Sequence, residues 1–281
     1  MLLRRSREIC ASLPENTRRL GMDFDGCKVI VTGGSSGIGL AVVDLFVERG
    51  AKVVSVGRSQ EKLAAQADRL GAPLITHACD VGVQEEAEAM LEQSVARLGG
   101  LDILINNAGV GGVLKRVGEL DPADWRATMA VNCDSVFWIS RLALPHLIES
   151  KGCIVNTASL AGMAANHSFT TYNVSKHALI ALTQCMALDY AADGVRVNCI
   201  SPGYVATDLN RLAPPQLGEA FIERTPMGRA ADPGEIAEAI LFLASSKASY
   251  ISGHNLVVDG AMMASAGLPN VPKIIAGLMK G

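Results

Sequence analysis

Tyr172 and Lys176 stand four residues apart in the stretch YNVSK. On a helix, residues i and i+4 share a face, so the phenol and the ammonium would project into the same space. That pairing suits proton transfer. A phenol with its ordinary pKa of about 10 exchanges protons poorly at neutral pH, and an adjacent cation favours its phenolate form. Moving it by about three units requires roughly 4 kcal/mol, within reach of close charges in a dry cleft. An isolated Y-x-x-x-K is more often a packed aromatic beside a solvated charge, so the remainder of the chain decides between these readings.

A second group of residues handles anions. TGGSSGIG, residues 32–39, follows directly on the β-branched run KVIVTG, with Gly33, Gly37 and Gly39 spaced G-x-x-x-G-x-G. Glycines let a backbone turn sharply and approach a pyrophosphate. Ser35, Ser36 and Ile38 then lead into a helix whose free N–H groups and positive dipole end favour a phosphate. The strand, turn and helix context that a nucleotide site requires is present.

The elements that must position these groups alternate regularly. KVIVTG, AKVVSVG, PLITHACDV, LDILINN, GCIVNTAS and VRVNCISP are short apolar runs separated by helix-length segments. Strands apolar on both faces in such an alternation predict a parallel sheet covered by helices on each side, an α/β doubly wound fold with right-handed crossovers. Ile38, Val42, Leu45 and Phe46 fall on one helical stripe. A single Rossmann-type domain is expected over residues 25–262, preceded by an extension, 1–24, and followed by an apolar Gly/Pro-broken tail, 263–281. Residues 204–228 form a Pro-containing insertion before a helix at 233–244, long enough to act as a substrate lid.

Composition narrows the function classes. The 281-residue chain is 49% hydrophobic and carries a formal charge of −3, which fits a packed globular unit and gives no nucleic-acid signature. The early arginines, Arg4, Arg5, Arg7, Arg18 and Arg19, are interspersed with Glu8 and Glu15, as on a solvated helix face. No apolar run reaches the roughly 20 residues needed to span a bilayer, so no membrane role is expected. Seven scattered cysteines without C-x-x-C suit small buried side chains in a reducing compartment. A cytoplasmic location is therefore expected, with an organellar presequence in residues 1–21 as the alternative. The five histidines have no metal-ligand spacing, and no metal is expected.

With these motifs in order, nearly all of residues 26–260 resembles the classical short-chain dehydrogenases/reductases. TGGSSGIG resembles that family's cofactor turn, and Asn107, Ala108 and Gly109 resemble the NNAG segment ending its fourth strand. Asn132 in MAVNCDSVF, Ser159 in NTASLAG, Tyr172 and Lys176 match its catalytic set, with Ser159 thirteen positions before Tyr172. Pro202, Gly203, Val205 and Thr207 resemble its nicotinamide-contacting segment, and Asp80-Val81 its adenine-contacting pair. The resemblance implies hydride transfer between a ketone and a secondary alcohol, with Tyr172 as acid and base. It also implies a ribose contact for Lys176, a hold on the substrate oxygen for Ser159, and a water chain anchored by Asn132. A homotetramer or homodimer is implied too, with the helices around 122–148 and 171–192 as its interface.

Cofactor choice turns on the end of the second strand. A carboxylate there binds the ribose 2′-hydroxyl of NAD, whereas an arginine accommodates the 2′-phosphate of NADP. The strand ends in Gly57-Arg58, which favours NADP(H), with NAD(H) as the alternative. Val110, Met163, His167, Phe169 and Tyr204 are positioned to line the side that meets a small carbonyl or alcohol. Competing readings are an NAD-linked alcohol, sterol or sugar dehydrogenase, a 3-oxoacyl-thioester reductase, and a non-catalytic nucleotide sensor. A pure sensor has no use for the phenol and ammonium pair.

Overall fold

The structure, a computed structural model, describes residues 24–207, 214–265, 271, 272 and 275. The six expected strands form β1 (Lys28–Thr32), β2 (Lys52–Gly57), β3 (Leu74–Ala78), β4 (Ile103–Asn106), β5 (Cys153–Thr157) and β6 (Arg196–Pro202). A seventh, β7 (Asn255–Val258), pairs beyond β6 and was not anticipated from the sequence. All pairings are parallel, in the order β3-β2-β1-β4-β5-β6-β7. Successive residues serve opposite faces of the sheet. Val29, Val31, Ile103 and Ile105 enter one core with Val42, Phe46 and Ile240, while Ile30, Leu104 and Ile154 enter the other with Leu91, Ile139 and Leu147.

The helices follow the alternation. They are α1 (Gly37–Glu48), α2 (Gln60–Leu70), α3 (Gln84–Leu98), α4 (Pro122–Met129), α5 (Ser135–Ser150), α6 (Thr170–Tyr190), α7 (Pro215–Arg224) and α8 (Pro233–Ala244). On α1 the fully buried stripe is Val42, Val43 and Phe46, and the expected Ile38 and Leu45 flank it, partly buried. Phe24, assigned by sequence to the extension, is wholly buried and packs edge-on against Phe46 at 4.8 Å, so the core includes it. The helix expected through 122–148 is broken between α4 and α5 by one π-helical turn, Ala130–Asp134. Such turns insert a residue into the helical repeat and re-aim side chains. Of the insertion at 204–228, Val205 pairs with Ala231 and α7 follows; residues 208–213 lie outside the described residues, as does most of the tail. Of the six described cysteines, four are buried, Cys133 is partly so, and Cys185 is exposed, which departs from the expectation of uniform burial.

Candidate functional site

Strand register brings the chemical residues to one edge. Thr32 lies opposite Asn106, and Asn106 opposite Asn156, so the segments following β1, β4 and β5 leave the sheet side by side. The strand order reverses between β1 and β4, which opens a crevice at their carboxyl ends. The glycine turn is fitted to that edge. Gly33 has φ +67°, and a Cβ there would stand 2.9 Å from the Cα of Ala108. A Cβ on Gly39 would collide with the carbonyl oxygen of Gly33 and come within 2.5 Å of the Asn107 amide nitrogen.

Ser36 is the extended N-cap residue of α1, yet its side chain takes none of the first-turn N–H groups. Those donors remain for an anion at the helix's positive end. Thr207 stands beside Gly37, and a groove of about 710 Å³ next to the turn is lined by Ser35, Ser36, Gly37 and Thr207. Asn107 has a narrower task than expected. Its backbone N–H donates to the Thr32 hydroxyl (3.0 Å), and its Nδ2 to the carbonyls of Thr32 (3.2 Å) and Gly33 (3.3 Å). The Thr157 hydroxyl donates to its Oδ1 at 3.3 Å, so this amide is spent on joining β1, β4 and β5.

Tyr172 and Lys176 occupy the first two turns of α6. The Lys176 ammonium donates to the carbonyl of Thr157 at 2.8 Å and lies 5.7 Å from the centre of the Tyr172 ring. Ser159, just beyond β5, accepts from the Ala161 N–H at 3.2 Å and hydrogen-bonds to the Tyr172 phenol. Asn132 sits fully buried in the π-turn. Its Oδ1 accepts from the Val110 N–H (2.8 Å), and its Nδ2 donates to the Val110 carbonyl (2.9 Å) and to the Ser175 hydroxyl (3.1 Å). Ser175 in turn donates to the Tyr172 carbonyl at 2.8 Å. A Cβ on Gly109 would meet Asn132 Oδ1 at 3.4 Å and Lys176 Nζ at 3.5 Å, so the three residues converge. Sequence reasoning missed Thr157 and Ser175; the position of Ser175 between the phenol and the amine was the available signal.

The electrostatics correct one expectation. Burial pushes the Tyr172 phenol up from its ordinary value, and the hydrogen bond with Ser159 draws it partly back. Lys176 does not offset this, because its ammonium is held on Thr157 and burial brings its own pKa down to about 8. The sign of the stability effect follows. Between pH 8 and 10.5 the unfolded chain holds more protons at this lysine than the folded one, so stability rises with pH there. Below pH 8 the buried charge costs about 3 kcal/mol. Unfolding of Lys176→Met and the unsubstituted protein, compared from pH 7 to 10, should show the difference shifting toward the unsubstituted protein by most of that amount; a pH-independent difference would contradict the assignment.

A family model described as enoyl-(acyl carrier protein) reductase matches residues 33–262. The chain belongs to the short-chain dehydrogenase/reductase family. It is 40% identical over 253 residues to meso-2,3-butanediol dehydrogenase from Serratia marcescens, covering 89% of this chain and all of that one. It is also 37% identical over 244 residues to a 3-oxoacyl-(acyl-carrier-protein) reductase from Vibrio cholerae, covering 86% and 99%. Among solved structures, 3-ketoacyl-(acyl-carrier-protein) reductase from Brucella melitensis complexed with NADH superimposes with a TM-score of 0.81 at 29% identity, over 85% of this chain and 99% of that one. The protein is an NAD(P)-dependent oxidoreductase acting on alcohols and ketones.

On this short-chain dehydrogenase/reductase frame the remaining residues fall as follows. Arg58 is exposed directly after β2, with no ion-pair partner among the described residues. Asp80 Oδ1 accepts from the Gly82 N–H at 2.9 Å in the turn leading to α3, and Val81 is buried beside it. Pro202 ends β6, Gly203 donates its N–H to the Val258 carbonyl at 3.0 Å, and Val205 is buried. Val110 is fixed by Asn132, and Phe169 packs edge-on against Tyr172 at 6.5 Å. Met163 is exposed, and Tyr204 stacks on Phe221 at 5.3 Å, a partner the sequence had not suggested. His167 is exposed and makes no hydrogen bond or ion pair among the described residues, so the structure gives it no place in a constellation.

Proposed function

We propose that this enzyme is an NADP(H)-dependent ketone reductase in which Tyr172 gives the proton, Ser159 holds the reacting oxygen, and Lys176 and Asn132 complete the site. The observation that carries this reading is the convergence of a phenol hydrogen-bonded to Ser159, a buried ammonium one turn away, and an amide fixed on Val110, all beside an uncapped helix N-terminus.

The turn from Gly33 to Gly39 fits a dinucleotide's pyrophosphate, because the backbone there has no room for a side chain and the first N–H groups of α1 have no side-chain cap. Asp80 and Val81 would meet the adenine, Lys176 the ribose, and Ala108, Gly109, Pro202, Gly203, Val205 and Thr207 the nicotinamide side. Bound there, the reduced nicotinamide supplies a hydride to the carbonyl carbon. Ser159 accepts one hydrogen bond from Ala161 and would turn its own O–H from the Tyr172 phenol to the developing alkoxide. The Tyr172 phenol, held protonated by burial, gives that oxygen its proton; in alcohol oxidation the same group takes the proton back.

The end of β2 supports NADP(H). A Cβ at position 57 would approach the Ser35 hydroxyl at 2.5 Å, which leaves no room for the carboxylate that would bind a ribose 2′-hydroxyl. Arg58 stands exposed at the next position and suits a 2′-phosphate. Initial rates with NADPH and NADH test this. The unsubstituted enzyme should prefer NADPH, and Arg58→Asp should lower kcat/KM for NADPH about 10- to 100-fold, the range expected for removing and reversing one phosphate-pairing charge. Unchanged selectivity would remove Arg58 from cofactor recognition.

Val110, Met163, Phe169 and Tyr204 are apolar or aromatic, so ketones with apolar flanks should be reduced in preference to polyol-derived ones. Phe137, Val174 and Leu188 leave α5 and α6 with exposed apolar side chains, which supports a homodimer or homotetramer built on those helices. No helix among the described residues is long and apolar enough to cross a membrane, and the scattered, mostly buried cysteines support a reducing, cytoplasmic setting.

A further inference from the structure

Asn173 follows Tyr172 directly, and its side chain does something the proposed reaction leaves unexplained. It is 7% exposed and faces away from solvent into the loop that joins Ser159 to α6. Its Nδ2 donates to the carbonyl of Asn166 at 2.9 Å, and its Oδ1 accepts from the N–H of the same Asn166 at 3.3 Å. One amide thus pairs with both polar groups of a single residue, as a neighbouring strand would. The segment it closes contains His167, Ser168 and Phe169. Within it the Phe169 N–H donates to the Asn166 carbonyl at 3.4 Å, and the Asn173 N–H to the Phe169 carbonyl at 2.8 Å. Ser168 is held at φ +62°, a left-handed conformation that a non-glycine residue adopts only when its surroundings enforce it. From the other side the Lys115 N–H donates to the Ser168 carbonyl at 3.0 Å.

We infer that Asn173 is a positioning residue that sets substrate selectivity, by pinning the 166–169 loop so that Phe169 stands as a fixed wall beside Tyr172. The inference rests on the proposed placement of the reaction at Tyr172. The clamp spans seven residues and anchors in the first turn of α6, so the wall and the phenol share one rigid base. Releasing it frees Phe169 without touching Tyr172, Lys176 or the glycine turn. A ketone large enough to lean on that wall should lose affinity, whereas a small one that reaches only Ser159 and Tyr172 should not.

The experiment compares Asn173→Ala and the isosteric Asn173→Asp with the unsubstituted enzyme. Asp keeps the volume and the acceptor for the Asn166 N–H but sets a second acceptor against the Asn166 carbonyl, so it breaks that half of the clamp without opening a cavity, whereas Ala removes both halves. Steady-state rates with NADPH are measured on a small aliphatic ketone and a bulky aromatic one, and amide exchange is followed at Asn166. The expected result in both variants is a KM for the bulky ketone raised about tenfold, with kcat and the small ketone's KM within about twofold and NADPH affinity unchanged, and in Asn173→Ala an Asn166 amide exchanging at least tenfold faster. Unchanged discrimination between the ketones, or an Asn166 amide in Asn173→Ala as protected as before, would overturn the inference. An unsubstituted enzyme that reduces neither ketone would count against the proposed reaction alone, and the exchange at Asn166 would then decide the clamp.

Discussion

Tyr172→Phe should lower ketone-dependent NADPH oxidation by about 10²- to 10⁴-fold while leaving NADPH affinity within about threefold. The substitution removes one oxygen and its proton and keeps the ring that packs against Phe169. On the proposed chemistry that oxygen is the proton donor. Ser159 can still donate a hydrogen bond to the alkoxide, but a serine hydroxyl is far too weak an acid to give up its proton at neutral pH. The proposed cofactor cradle is Gly33, Gly39 and the open end of α1, braced by Asn107, none of which the Tyr172 hydroxyl touches. Binding and turnover should therefore separate cleanly. Steady-state kinetics and a cofactor titration measure the two quantities, and a variant retaining a tenth of the activity would place the acid elsewhere.

Gly39→Ala should weaken cofactor binding roughly tenfold to a hundredfold. The added methyl would strike the Gly33 carbonyl oxygen and crowd the Asn107 amide, and both are fixed in backbone or in a three-way hydrogen-bonded junction. Overpacking a rigid site costs about 1–3 kcal/mol, and here relief comes only by spreading the turn that presents the N–H groups. Gly118→Ala is the matching control, since a Cβ there meets nothing within 4 Å. Fluorescence titration with NADPH should find Gly118→Ala unchanged; equal losses in the two variants would show that the turn is not the anion site.

What the sequence revealed and what it hid follow from the range of the interactions concerned. The other six strands were legible because each is a short apolar run, most of them rich in β-branched residues, bounded by turn formers and set between helix-length segments. β7 was not, because NLVV stands directly before the tail with no helix-length segment after it to complete the alternation, and it is defined by its pairing with β6, some 56 positions earlier in the chain. The phenol and amine were legible because a four-residue spacing is local. The π-turn that carries Asn132 was not, since it is fixed by hydrogen bonds to Val110 and Ser175, 22 and 43 positions away. The pKa directions were hidden for the same reason. Tyr172 and Lys176 suggest mutual charge tuning when read as a pair, but burial by β5, β6 and the π-turn outweighs it.

The central claim is hydride reduction of a carbonyl at Tyr172. It is tested most directly by supplying NADPH deuterated at the transferring position with an apolar-flanked ketone and analysing the product by mass spectrometry. The account predicts a secondary alcohol one mass unit heavier, with the label on the carbinol carbon, formed by the unsubstituted enzyme and at least a hundredfold more slowly by Tyr172→Phe. Tight NADPH binding without labelled alcohol from any ketone, or equal labelling rates in the two proteins, would contradict it.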